Sequence, residues 1–391
     1  MKKNIITVAS IVALAAAAHA QQSLNFQAKP IVSPEVSANT ATFRIQAPNA
    51  KEVKISGDWM PSRNWAPGMA DMTKDSDGIW TYTAKDLPSE LYNYSFFVDG
   101  LKITDPNNVY PMRDVGSIFN IFIIGGGQGD LYKVNDVPHG TLSYPWYKSE
   151  SLKRERRMTV YTPPGYEDST EKYPVLYLLH GMGGDERAWT TLGCAAQILD
   201  NLIASGKAKP MIVVMPNGHT ANDATPGESS KGLRKPDMQD FRGNGFAGEM
   251  ESSFKDIIKY VESHYRVKAD KADRAIAGLS MGGMHSMVIS ANYENTFDYV
   301  GLFSAATGVA SRTGSEMYSN FDEKLEKQNK NGCKLYWIGM GKTDFLYKNG
   351  EEFRAKLDKI GMKYDYRESE DGHIWRNWRI YLSEFVPQLF K

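Results

Sequence analysis

The chain has 391 residues, 41% of them hydrophobic and 24% charged, and its 46 basic and 46 acidic side chains cancel to a formal charge of +0. That length supports more than one packed core. Balanced charge with no long single-sign run argues against a polyanionic partner such as nucleic acid and against a basic membrane-binding surface.

Lys2 and Lys3 precede an apolar stretch, Ile5 to Ala18, that ends in Ala18-His19-Ala20. This is the pattern of an export signal over residues 1–20. The stretch is short for a membrane span, and no later segment approaches about 20 apolar residues. No cysteine adjoins the expected cleavage point. The mature chain is therefore expected to be soluble, without a membrane anchor, in a periplasm or outside the cell.

Residues 21–127 read as strand after strand. "TATFRIQA", "KEVKISG", "GIWTYTA" and "LYNYSFFV" alternate or run β-branched and apolar between Pro, Asn, Asp and Gly clusters. Asp99-Gly100 supplies a hairpin turn. The spacing predicts an all-β immunoglobulin-like sandwich. Glycines 125–127 interrupt it, and residues 128–140 read as a linker. From 141 to 391 the pattern changes. "YPVLYLLHG", "MIVVMP", "RAIAGLS", "YVGLFSA" and "KLYWIGMG" are continuous apolar strands separated by helical spacing, such as Met250 to Tyr265. This predicts an α/β domain with a mostly parallel, doubly wound sheet covered on both faces. Chemistry in such sheets gathers at the carboxyl ends of the strands. The stretch 217–248, rich in Gly, Pro and Asp, is expected to form a loop over a pocket. Cys194 and Cys333, the two cysteines, are expected to be free and to lie near opposite ends of the sheet.

Gly278-Leu279-Ser280-Met281-Gly282 matches G-x-S-x-G between a strand and a helix, where small flanking residues let the backbone lift a serine hydroxyl clear of the sheet. A serine needs a base to take its proton, and in this topology acid and histidine follow it. Of the seven histidines only His285 and His373 do so. His285 lies over one helical turn on and should point away, which leaves His373. Asp344, after "LYWIGMGKT", ends an apolar strand and is the preferred acid. Asp371 is too near His373, Asp365 lies in a strand, and Asp298, Asp322 and Asp358 fall in or beside predicted helices. Backbone donors for a substrate oxyanion are expected from Met281 and, in "LLHGMGG", from Met182, with Gly181 leaving room for substrate. No H-E-x-x-H is present and the histidines are scattered, so neither metal nor cofactor is expected.

"YLLHGMGGDERAW", "GLSMGG", "GMGKTDFLY" and "DGHIW" together resemble carbohydrate esterase family 1, the feruloyl and acetyl-xylan esterases of the α/β-hydrolase fold. "FRIQAPNAKEVKISGDW" and "YSFFVDG" resemble the immunoglobulin-like carbohydrate-binding module of family 48. The resemblance implies hydrolysis of feruloyl or related esters on plant cell-wall xylan through an acyl-enzyme, with feruloylated or acetylated xylan and xylo-oligosaccharides as partners. Acetyl-xylan esterase, siderophore esterase and a non-catalytic glycan binder are the alternatives. Trp189 and Trp375 are candidates to flank a phenolic ring. Trp59 and Trp80 read as sandwich core before sugar platforms.

Overall fold

The computed structural model describes residues 30–61, 67–233, 235–236, 247–308 and 315–391. The export signal expected over 1–20 lies outside the described residues, as does part of the 217–248 stretch.

The N-terminal strands are β1 (Glu35–Ser37), β2 (Thr40–Gln46), β3 (Val53–Gly57), β4 (Met69–Asp71), β5 (Thr73–Lys74), β6 (Ile79–Ala84), β7 (Leu91–Val98), β8 (Leu101–Ile103), β9 (Pro111–Asp114) and β10 (Ser117–Ile123). They form two antiparallel sheets, β1-β2-β6-β5 and β4-β3-β7-β10-β9, with β8 paired to β7. Side chains alternate between faces along a strand. On β7, Tyr92, Tyr94 and Phe96 turn into the sandwich core, so Asn93, Ser95 and Phe97 line the opposite face. Trp59 stacks on Phe43 with centroids 5.4 Å apart. Trp80 is 8% exposed, and its Nε1 donates to the Ala47 carbonyl at 2.9 Å. Both tryptophans belong to the sandwich core, so neither offers a free face to a sugar.

The second sheet comprises β11 (Thr141–Ser143), β12 (Trp146–Ser149), β13 (Arg154–Thr162), β14 (Val175–Leu179), β15 (Ile212–Pro216), β16 (Arg274–Leu279), β17 (Tyr299–Phe303), β18 (Leu335–Gly341) and β19 (Asp365–Ser369). Its order is β11-β13-β15-β14-β16-β17-β18-β19, with β12 on β13. The run from β15 to β19 is parallel, and β11, β12 and β13 add an antiparallel edge. The helices are α1 (Ala188–Thr191), α2 (Ala195–Ala204), α3 (Glu249–His264), α4 (Met281–Asn292), α5 (Phe321–Asn331), α6 (Tyr347–Lys359) and α7 (Trp375–Phe385).

Why β14 and β16 are apolar without alternation follows from this layering. Val175, Tyr177 and Leu179 pack under Phe254 of α3 and Met284 of α4, whereas Leu176 and Leu178 meet Ile198 of α2 and Tyr381 of α7 on the other face. Each such side chain contributes about 1.5–3 kcal/mol on burial. The sandwich is anchored to this body. Arg379 of α7 pairs with Glu90 at 2.9 Å, their side chains only 3% and 5% exposed, and also donates to the carbonyls of Leu91 and Leu192 at 3.0 and 3.1 Å. Arg113 pairs with Asp185. Cys194, before α2, and Cys333, before β18, are both free thiols.

Candidate active site

β16 is buried along its whole length and ends at Ser280, whose φ of 53° and ψ of −116° precede α4 directly. A non-glycine residue in that region stores about 1–3 kcal/mol and persists only when its surroundings hold it. Three backbone bonds do so: Ser280 N–H to Phe303 O at 2.9 Å, Ala306 N–H to Ser280 O at 3.1 Å and Met284 N–H to Ser280 O at 3.0 Å. The flanking glycines are required by close approach. A Cβ on Gly278 would stand 2.4 Å from the Gly282 backbone, and one on Gly282 would stand 2.4 Å from the Leu179 carbonyl. Met281 opens α4, so no helical carbonyl one turn back can accept its N–H. The Ser280 side chain is half-buried, and its hydroxyl makes no hydrogen bond among the described residues.

The segment after β14 lies against this turn. A Cβ on Gly181 would sit 3.2 Å from Ser280 Cβ and 2.5 Å from Leu279 Cδ1, which explains glycine there. Two buried imidazoles clasp the segment. His180 Nε2 accepts from Gly218 N–H at 2.7 Å while its Nδ1 donates to Gly181 O at 2.8 Å. His219 Nε2 accepts from Gly183 N–H at 3.1 Å. Burial pushes His180 down to about 4 and His219 well below the usual imidazole range. Both are therefore neutral acceptors at pH 7. Met182 stands between these fastened residues, 37% exposed.

At the ends of β18 and β19 an acid meets an imidazole. Asp344 is 5% exposed, and its Oδ1 accepts the Leu346 N–H at 2.9 Å. His373 Nδ1 approaches Asp344 Oδ2 at 2.9 Å and Oδ1 at 3.1 Å. The ring is held by Trp378 edge-on at 4.9 Å and by Phe345 at 4.6 Å. Asp365 opens β19 as an exposed residue, and the remaining acids are engaged elsewhere. Asp371 pairs with Arg376, Asp322 with Lys356, Asp298 with Lys271, and Asp358 accepts from Tyr364. Asp298 directly precedes β17, so it belongs to a strand start and not to a helix. His285 is fully buried and turned toward Glu251, 2.8 Å from its Oε1. Sheet order β16-β17-β18-β19 thus brings Ser280, Asp344 and His373 to one carboxyl rim, with the acid and imidazole in direct contact.

The two tryptophans divide. Trp189 was expected beside a phenolic ring, but it is 1% exposed. Its Nε1 donates to Leu179 O at 3.0 Å, so it supports the segment after β14 from inside. The correction has a packing cause: α1 turns this ring inward against Phe303 and Trp375. Trp375 is only partly buried and borders a cavity of about 610 Å³ between the domains. Asp58, Asn93 and Asp114 of the sandwich line it opposite His373, Trp375 and Arg376. Asp58 accepts from Asn93 Nδ2 at 2.6 Å. Burial pushes its carboxyl up to about 6, against the opposing charge of Arg376. Neither His219 nor this sandwich wall was anticipated. "MPNGHT" at the end of β15 is the signal that could have drawn notice to His219.

The Esterase family model matches residues 149–389, and that of carbohydrate-binding module 48 (isoamylase N-terminal domain) matches residues 30–108. An endo-1,4-beta-xylanase/feruloyl esterase of Xylanibacter ruminicola is 32% identical over 93% of this chain. The chain spans 46% of that relative's length. A CE1 ferulic acid esterase from Anaeromyces mucronatus, solved in complex with ferulic acid, aligns at 25% identity with a TM-score of 0.55, covering 66% of this chain and 93% of that one. The enterobactin esterase of Shigella flexneri aligns with a TM-score of 0.62 over 90% of this chain and 93% of its own, at 16% identity. That last likeness bears on the fold of both domains alone.

Proposed function

The chain belongs to the Esterase family and is a carboxylic ester hydrolase, and we propose that it removes feruloyl groups from xylan through an acyl-enzyme on Ser280. The observation that carries this reading is the Asp344–His373 pair on the rim that also bears Ser280. With Nδ1–H given to a buried carboxylate, His373 keeps Nε2 as the basic nitrogen. The Ser280 oxygen attacks the ester carbonyl while its proton passes to Nε2. The oxyanion accepts from the N–H groups of Met281 and Met182. The C–O bond to the alcohol then breaks as His373 returns the proton to the leaving oxygen. Water, deprotonated by the same imidazole, attacks the acyl-enzyme, and the carboxylic acid departs with Ser280 restored.

No hydrogen bond joins the Ser280 hydroxyl to the His373 imidazole among the described residues. Such bonds are often long before substrate arrives and tighten in the complex. His180, donating from Nδ1 to Gly181 O, and His219, accepting at Nε2 from Gly183 N–H, fix the backbone on either side of Met182 and act as positioning residues. The feruloyl assignment draws on the printed identity of the Xylanibacter relative and on the ferulate complex of the Anaeromyces enzyme. Export completes the proposal, and a mature protein beginning at Gln21 in mass spectra of secreted material checks it.

Ser280→Ala should lower kcat on methyl ferulate by at least about 10³-fold, as loss of a serine nucleophile does elsewhere. Near-normal turnover in the folded variant would refute the nucleophile. A wild-type preference for acetylated xylan over methyl ferulate would replace feruloyl by acetyl in the reading.

A further inference from the structure

We propose that Arg156, buried in β13, is a positioning residue for the oxyanion donor at Met182, a role that rests on the acyl-enzyme reading above.

A charge stands where the pattern calls for none. The side chains of β13 that join the core under α3 and α4 are apolar at Met158 and Val160. Alternation puts Arg156 in the same row, opposite Tyr147 of β12, and it is 0% exposed. Its bonds go to neutral oxygens. Nη2 donates to the carbonyl of Asn217 and, at 3.1 Å, to that of His219. Nε donates to the Asn222 carbonyl and Nη1 to the Tyr147 hydroxyl, both at 3.4 Å. Among the described residues no carboxylate forms an ion pair with it. A buried cation without a counter-ion is costly, and an apolar side chain in this row would avoid that. What the guanidinium alone can do is gather three carbonyls of one loop, because its planar fork fixes several acceptors at once.

That loop grips the segment carrying Met182. Between the two carbonyls held by Nη2, Gly218 gives its N–H to His180 Nε2 at 2.7 Å. His219 in turn accepts the Gly183 N–H at 3.1 Å, and Asn217 Nδ2 is fastened to the buried Glu186 at 3.0 Å. Contacts thus run from Arg156 through residues 217–219 to both sides of Met182, whose own N–H makes no hydrogen bond among the described residues. Burial first, and the Arg156 charge in addition, keep both imidazoles neutral. Each therefore retains its acceptor nitrogen.

Arg156→Met keeps the length of the side chain and removes the guanidinium. Its kcat on methyl ferulate should fall about 10²-fold, the loss that a misplacement of about 1 Å can produce. KM should hold within about threefold, because an oxyanion donor acts in the transition state. Amide hydrogen exchange across residues 180–184 should accelerate, while that of β16 and β17 keeps its wild-type rate. A kcat within about threefold of wild type overturns the proposal, and so does a rise in KM that accounts for the whole loss in kcat/KM. Unchanged exchange at 180–184 overturns it too. Should Arg156→Met not fold, Arg156→Lys carries the test. It keeps the cation without the fork, so both changes should appear to a smaller extent, and wild-type kcat and exchange in it overturn the proposal. Ser280→Ala tests the acyl-enzyme reading separately. If that variant keeps its turnover, the reading fails; Arg156 then stands as the holder of residues 180–184 if exchange there is faster without it, and falls if it is not.

Discussion

In the sandwich, rings meet rings: Phe43 stacks on Trp59, Tyr94 and Phe122 close around them, and the tryptophans are spent on the core. In the α/β domain the interior is equally apolar, but one rim carries a positive-φ serine, two neutral imidazoles and an acid–imidazole contact. The contrast separates two uses of a sheet. Antiparallel strands with an alternating pattern hold shape and present one outward face. Parallel strands buried on both faces release their backbones together at one edge, where turns can aim polar groups at a common point. The positive-φ conformation of Ser280 persists because the packed sheet around it holds the turn.

The sharpest way to break this comparison is at the rim. Asp344→Asn keeps the shape but offers an amide where His373 Nδ1–H now finds a carboxylate, favouring the wrong tautomer. The equivalent change in a serine protease costs about 10⁴-fold in kcat. A similar loss is expected here, measured by steady-state kinetics, with a melting temperature close to wild type. A loss below tenfold would show that Asp344 does not orient the base.

The next effect belongs to the seam between the domains. Glu90→Gln strands the Arg379 charge in a buried site, and removing one member of such a pair typically costs about 3–5 kcal/mol. Urea unfolding should report that loss. A change under about 1 kcal/mol would mean that the seam tolerates an unpaired guanidinium, and the sandwich wall would then be loosely held.

A smaller test uses proton linkage on both sides of the seam. His180 has its folded value lowered to about 4 from an unfolded value near 6.5. The unfolded chain therefore binds the extra proton between these values, and stability rises as pH climbs from about 4 to about 6.5. Asp58 works the other way. Its carboxyl, raised to about 6 from near 3.9 unfolded, contributes stability at low pH that is lost as pH rises through about 6. Asp58→Asn removes the opposing group, so the gain in stability between pH 4.5 and pH 7 should grow by about 2 kcal/mol over wild type. Equal gains in variant and wild type, read from urea midpoints at the two pH values, would contradict the burial of Asp58.

Much of this architecture was legible from residues. Alternation in "LYNYSFFV" and unbroken apolar runs such as "VLYLL" separate a one-faced from a two-faced sheet before any coordinates, because side-chain direction repeats every two residues. The glycines around Ser280 mark a tight turn for the same local reason. Trp189 shows the limit. Nothing in "DERAW" tells which way α1 will face, and the ring turned inward because Leu179 O, Phe303 and Trp375 await it there. His219 was equally silent, since its acceptor role depends on Gly183, 36 positions away in the chain.

By itself, then, the sequence determined the two sheet types and the serine turn, which follow from periodicity and backbone stereochemistry within a few residues, and it set serine, acid and imidazole in that chain order. Only the tertiary structure decided that Asp344 meets His373, that two buried histidines grip the loop carrying Met182, and that the outer face of β7 looks into a cavity beside the imidazole. Those outcomes depend on how separate elements stack, and stacking is governed by the shapes of buried surfaces brought together from distant stretches of chain.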